Sequence, residues 1–275
     1  MKTILLPVEP HDLMPSAMQS AWLLAGRFGA TVEGVALRPS LVDFVVPDPM
    51  GALVVQPPPL DEQQTSARAR QSFEGFAAGK TAAGGSAPCT FHWRGWPSID
   101  DATLGSLGRL FDCTVIGRPG SGRNDPRMTS LETALFESGR PILVAPPITP
   151  KSLGTSALIH WNASTETARL IAFAMPLLKM ANSVHVLSVD GAMSPGPTAG
   201  QLLDFLAAHG VKATESVARL GGKGAGEVIL DAAREKGCDL LVKGAYTQSR
   251  LKQMIFGGAT NHILAAADLP VIMAH

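Results

Sequence analysis

The sequence predicts an α/β protein of two tandem domains, each a doubly wound parallel sheet. Three observations predict it: the length, a series of segments that recurs in the same order in both halves, and the alternation of short apolar runs with helical stretches. At 275 residues the chain is well beyond the usual domain size of about 100–150, so two cores are expected. Strands separated by helices indicate βαβ units, whose right-handed crossovers cover both faces of a parallel sheet.

The recurring segments can be followed along the chain. The opening run Ile4-Leu5-Leu6-Pro7-Val8-Glu9 corresponds to Ala157-Leu158-Ile159-His160-Trp161-Asn162. Each is apolar and ends on a polar residue. Helical stretches follow, Ser16 to Phe28 in the first half and Ser164 to Met180 in the second, the latter with Ser164 suited to an N-cap. Thr31–Leu37 matches Ser183–Val189, and Asp112–Gly117 matches Asp239–Gly244. Each half then closes on Pro and an apolar run, Pro141–Ala145 and Pro270–Ala274. Continuous apolar runs such as Leu240–Val242 belong to strands buried on both faces. The expected domains are 1–148 and 155–275, joined through the Pro-rich stretch Pro146–Gly154. The Pro-rich region Pro39–Pro59 has no clear periodicity. It reads as a long excursion, whether a lid, a contact surface or a loop without a role.

Composition narrows the function classes. Hydrophobic residues make up 45% and charged residues 17%, with 23 basic and 23 acidic side chains. A chain of zero formal charge has no broad field to attract nucleic acid or an anionic membrane, so neither partner is expected. Three cysteines with no CxxC spacing read as free, structural thiols in a reducing compartment. The start is too short in apolar residues for a signal peptide, and Leu170–Leu178 falls far below a membrane span of about 20 residues. The expected location is cytoplasmic.

The chemistry-bearing stretch follows the strand that ends at Lys243. It runs Gly244-Ala245-Tyr246-Thr247 and on to Phe256-Gly257-Gly258-Ala259-Thr260. A glycine leaving a strand, then a glycine pair opening a helix, lets backbone N–H groups and the helix dipole face an anion. Thr260 adds a hydroxyl donor.

This stretch resembles the signature of the universal stress protein family: Gly, two residues, Gly, nine residues, Gly and Ser or Thr, a binder of ribose and phosphates. Gly244 and Gly257 fall on the first and third glycines. Thr247 stands at the second glycine, Gly258 at the Ser or Thr, and Thr260 at a hydroxyl position of ATP-binding members. Asn162 replaces the acidic residue that holds base or ribose, and Val189 matches an adenine-contacting position. The resemblance thus assigns nucleotide contacts to Asn162, Val189, Gly244, Thr247, Gly257, Gly258, Ala259 and Thr260. It implies Rossmann-like domains packed as an internal pseudo-dimer. It also implies a stress-response protein that binds ATP or another adenine nucleotide, with Mg2+ accompanying it, in the second domain. In the first half Gly117 and Gly120 fit two glycines, but Ser130 occupies the third; Glu9 keeps the acidic position. That half is expected to be mainly structural.

Other motifs read as scaffold. Gly75–Thr81 is one residue short of a phosphate-binding P-loop and follows a helical run, so it reads as a helix end. Gly221–Gly224 reads as a turn. Seven histidines show no zinc spacing, and His160 reads as a satisfied pocket-wall residue. Trp93 and Trp96 around Arg94 read as packing; Tyr246 reads equally as a stacking residue or a loop closure. No catalytic residue is assigned, and slow ATP hydrolysis stays open. The competing reading is a nucleotide-independent interaction module with a protein partner; a homodimer suits either reading.

Overall fold

The computed structural model describes residues 1–38, 45–48, 51–54, 62–82, 89–120, 122, 125–245 and 258–275. The first half runs β1 (Thr3–Val8), α1 (Met14–Phe28), β2 (Thr31–Ala36), a hairpin of β3 (Val45–Asp48) and β4 (Gly51–Val54), α2 (Glu62–Ala82), β5 (Thr90–Trp93), α3 (Asp101–Leu107), β6 (Cys113–Gly117), α4 (Met128–Glu137) and β7 (Ile142–Ala145). The second half runs β8 (Ser156–His160), α5 (Thr165–Leu178), β9 (Ser183–Asp190), α6 (Ala199–Ala208), β10 (Thr214–Arg219), α7 (Ala225–Glu235), β11 (Leu240–Lys243), α8 (Gly258–Ala266) and β12 (Val271–Met273). Apart from the β3–β4 hairpin, the two halves repeat one another element for element. That hairpin lies within the Pro39–Pro59 excursion, most of which falls outside the described residues.

The ten main strands form one sheet in the order β10-β9-β8-β11-β12-β7-β6-β1-β2-β5. Within each half the order is third, second, first, fourth, fifth strand, and every pairing is parallel. The halves meet where β12 pairs antiparallel with β7, Ile272 opposite Leu143. This is the internal pseudo-dimer: two parallel sheets fused across a local two-fold. The closing runs of the halves are apolar because they become the centre of a sheet covered on both faces. All of Ile142–Ala145 and Val271–Met273 is buried.

Two continuous cores flank the sheet. One packs Ile4, Leu6, Ile159 and Val242 beneath α1, α2, α5 and α6. The other packs Leu5, Ile116, Leu158 and Leu241 beneath α3, α4, α7 and α8. Strand residues alternate between the two, as the period of two requires. Local signals set the helix ends. Pro15 enters the first turn of α1, which starts at Met14, two residues before the predicted Ser16; the helix stops at Gly29 in the left-handed conformation, φ 59°. Ser164 caps α5 through Thr167 N, and Thr198 with Gln201 forms a capping box on α6. Gly75 and Gly79 lie inside α2 with open space where a Cβ would stand, so the P-loop look-alike is helix. Side chains also tie the halves together: Arg27 Nη2 donates to Gly154 O and Met180 O at 3.1 and 2.6 Å, and Arg118 Nη1 to Ala267 O at 2.9 Å.

Candidate functional site

In a sheet of this order the chain leaves the first and fourth strands of each half toward opposite faces, opening a crevice at their carboxyl ends. In the second half these strands are β8 and β11. Beyond β8, Asn162 Oδ1 accepts from Thr167 Oγ1 at 2.7 Å and from Ser164 N at 3.3 Å. Between Asn162 and Ser164, Ala163 sits at φ 61°, the single non-glycine residue with positive φ among those described. Such strain at a strand-to-helix handover is a mark of functional sites. Beyond β11, Gly244 lies against the same first turn of α5. A Cβ there would stand 2.5 Å from Thr167 Oγ1 and 2.6 Å from Thr167 N. The first glycine of the motif is therefore demanded by helix packing as well as by any ligand. Asn162 and Gly244, predicted as site residues from distant parts of the chain, share Thr167 as a neighbour.

On the α7–α8 face of this edge lies a polar cluster. Lys243 and His160 are register partners on β11 and β8, and both are buried. Lys243 Nζ donates to Gly244 O at 2.8 Å and to Thr260 Oγ1 at 2.9 Å. Burial lowers the Lys243 amine from 10.5 to about 8. Burial, assisted by the Lys243 charge, lowers His160 to about 3, so its ring is neutral at pH 7. Neither ring nitrogen of His160 has a hydrogen-bond partner. The sequence expectation of a satisfied wall histidine is corrected: the strand residues beside it on that face, Leu158 and the His160 register partner Leu187, are apolar core and supply no side-chain acceptor. Thr260 is buried in the first turn of α8, Gly258 opens that helix with no described atom within 4 Å of its Cβ position, and Ala259 O lies 2.7 Å from the Cβ position of Gly226. Val189, at the end of β9, is fully buried in the same core. Thr247, Gly257 and Tyr246 lie outside the described residues. Sequence reasoning missed Lys243; its signal was a lone charge closing the apolar run Leu240-Leu241-Val242.

In the first half the acidic groups at the equivalent edge are engaged by the chain itself. Arg127, the N-cap of α4, donates from Nη1 to Glu9 Oε2 at 2.5 Å and from Nη2 to Asp101 Oδ1 at 2.9 Å and Arg38 O at 3.3 Å. Ser130, at the third-glycine position, donates to Asp101 Oδ1 at 2.7 Å, and Thr129 Oγ1 to Asp101 Oδ2 at 3.2 Å. The carboxylate of Glu9 thus holds a guanidinium where the family resemblance implied a ribose. Gly117 is pressed by Pro126 and His11, whose Cγ and Cε1 would stand 2.6 and 3.2 Å from a Cβ. Burial and the nearby Arg127 lower His11 to about 4.

The remaining candidates are structural. Arg94 pairs with Glu33 and stacks on Trp96, its Cζ 4.6 Å from the ring centroid. Gly221 and Gly222 take positive φ in the turn before α7. The three cysteines are free, and burial pushes the Cys113 thiol up to about 12. Among the described residues no cluster of His, Cys, Asp or Glu suits a metal ion, and no helix is long and apolar enough to cross a membrane.

Comparison with known proteins agrees with this architecture. The profile of the universal stress protein family matches residues 161–275. A universal stress protein from Archaeoglobus fulgidus DSM 4304 superposes with a TM-score of 0.73 at 14% identity, over 99% of this chain and 97% of its own. A protein from Pseudomonas aeruginosa UCBPP-PA14 assigned to the same group superposes with a TM-score of 0.59 at 15% identity, over 100% of this chain and 93% of its own. A protein of unknown function from Pseudomonas aeruginosa PAO1 gives 0.59 at 14% identity, over 100% and 92%. At these identities the superpositions speak for the fold. No curated protein matches the sequence. The universal stress protein family model thus matches the second half of the chain, residues 161–275, and the whole chain shares the fold of the universal stress protein from Archaeoglobus fulgidus.

Proposed function

We propose that the second half binds an adenine nucleotide, ATP or a relative, at the carboxyl edge of β8 and β11, and that the protein acts as a stress-response sensor or regulator. One observation carries this reading. At the switch-point edge Asn162 and Gly244 share Thr167 in the first turn of α5, and Lys243 links Gly244 to Thr260 in the first turn of α8. A helix N-terminus with a hydroxyl in its first turn and a buried cation beneath it favours a phosphate. The amide of Asn162 offers N–H donors to the base or ribose, at the position where the family resemblance has a carboxylate.

Heat extraction and mass spectrometry of the freshly purified protein, with calorimetric titration of ATP with and without Mg2+, test the proposal. Gly258→Trp is the matching variant, because no described atom lies within 4 Å of its Cβ position and the ring would project at the start of α8. Stoichiometric nucleotide on the wild type and none on the variant supports the assignment. A wild type that is empty and ignores ATP refutes it; release of phosphate from ATP, followed in the same titrations, would make the protein a slow hydrolase.

A second reading, a nucleotide-independent interaction module, draws on the Gly244 contact. Packing against Thr167 accounts for that glycine without a ligand, and in the first half Glu9 is held by Arg127. An inert second half would bring this reading forward.

A further inference from the structure

The pair His160 and Lys243 is the strongest feature that the nucleotide reading does not absorb. An ammonium removed from water ordinarily has a carboxylate beside it, because desolvating an unpaired charge is costly. Lys243 has none among the described residues: its hydrogen bonds go to a carbonyl and a hydroxyl, both neutral. These two acceptors serve three donors, since an ammonium carries three N–H groups. Next to it, His160 is 3% exposed with both ring nitrogens unpartnered. A buried polar atom without a partner calls for an explanation. Lys243 also reaches across to Thr260, in the first turn of the nine-residue α8. Lys243 therefore adjoins the neutral imidazole on one side and, through Thr260, the first turn of α8 on the other, and no acidic group among the described residues offsets it.

We propose that Lys243, His160 and Thr260, with the α8 N-terminus, form an oxyanion subsite that takes one phosphoryl group and balances its charge with a side chain instead of a divalent cation. The inference rests on the nucleotide reading for the identity of the ligand, but the subsite is defined by its own residues. Lys243 supplies the charge and a hydrogen bond. His160, neutral at neutral pH, donates from one nitrogen to a phosphoryl oxygen, and a proton on its other nitrogen is favoured once the anion is seated. Thr260 is oriented by the ammonium that it accepts from. This arrangement also compensates for Gly258, which leaves the motif without its usual hydroxyl at that position.

The test uses inorganic phosphate, ATP and adenosine as probes, on the full chain in EDTA. In wild-type protein with labelled histidine, phosphate should move the His160 ring resonances, and ATP should bind without Mg2+. Lys243→Met should weaken phosphate and ATP roughly 10–100-fold, the range of a hydrogen bond to a charged group, and leave adenosine unchanged. His160→Gln, which keeps a donor, should retain most of the phosphate affinity. ATP binding that needs Mg2+ and is indifferent to Lys243→Met would overturn the subsite while leaving the nucleotide reading intact. Phosphate binding that depends on Lys243, in a protein that ignores ATP, would keep the subsite and reject the nucleotide. Thermal melts of both variants without ligand separate these outcomes from misfolding; should Lys243→Met fail to fold, the His160 response of the wild type to phosphate decides.

Discussion

Replacing Lys243 by Met tests directly whether a buried cation stands at the edge of β11. The two side chains are similar in length, so the substitution removes the charge and two hydrogen bonds while filling the same space. Absolute stability mixes those terms, but its pH dependence isolates the charge. Lys243 falls from 10.5 to about 8 through burial. Below pH 8 the native and unfolded chains both carry the proton. Between pH 8 and 10.5 the native amine is neutral while the unfolded one stays charged. The unfolded state then binds more protons, so stability rises with pH. The wild type should accordingly gain on Lys243→Met by up to about 3 kcal/mol across this window, the equivalent of a shift of about 2.5 pH units. Urea denaturation of both proteins in phosphate-free buffer from pH 7 to 10.5 reads the difference, in which every other titrating group cancels. Parallel stability curves across that range would refute the assignment of a buried, uncompensated ammonium.

Three further perturbations follow from the same geometry. Arg127→Ala withdraws the guanidinium shared by Glu9 and Asp101, whose side chains are 10% and 5% exposed; a loss of about 3–5 kcal/mol in urea denaturation is expected, with ATP binding in the second half unchanged. A loss below about 1 kcal/mol would show that the network is not a structural replacement for a ligand. Gly244→Ala places a methyl against Thr167 N; overpacking of about 1–3 kcal/mol is expected, together with a displaced α5 N-terminus visible in the amide resonances of Thr165–Thr167. His160→Leu should relieve acid sensitivity. The folded ring titrates near 3 instead of 6.5, so the wild type loses stability as pH falls from 6.5 toward 3, because the unfolded chain takes the proton first. Denaturation at pH 4 and pH 7 checks it, and equal losses for both proteins would count against a buried neutral imidazole.

Much of the fold was legible in the chain. The repeated order of apolar runs gave β1, β2, β6 and β7 their partners β8, β9, β11 and β12, because a strand buried on both faces leaves little room for polar residues. The cap of α5 was legible at Ser164, since a local side-chain hydrogen bond to the first turn selects that residue type. The motif from Gly244 onward starts at the carboxyl end of β11. Other features have no local signature. Glu9 carries the acidic position that the resemblance linked to a ribose, yet its partner Arg127 stands 118 positions away, and no spacing rule connects them. Lys243 reads in sequence as the end of a strand; only the parallel register of β8 and β11 sets it beside His160.

The sequence by itself determined the two-fold repetition, the alternation of strand and helix, and the position of the glycine motif. These depend on periodicity and on residues adjacent along the chain. The tertiary structure alone decided that the repeats fuse through β7 and β12 into one sheet, that Glu9 at the first edge is paired with its own chain's arginine, and that the second edge holds a lysine without a carboxylate among the described residues. The physical reason is the same for all three. Charge compensation and burial are set by groups brought together across long loops, and their energies depend on which neighbours the fold supplies.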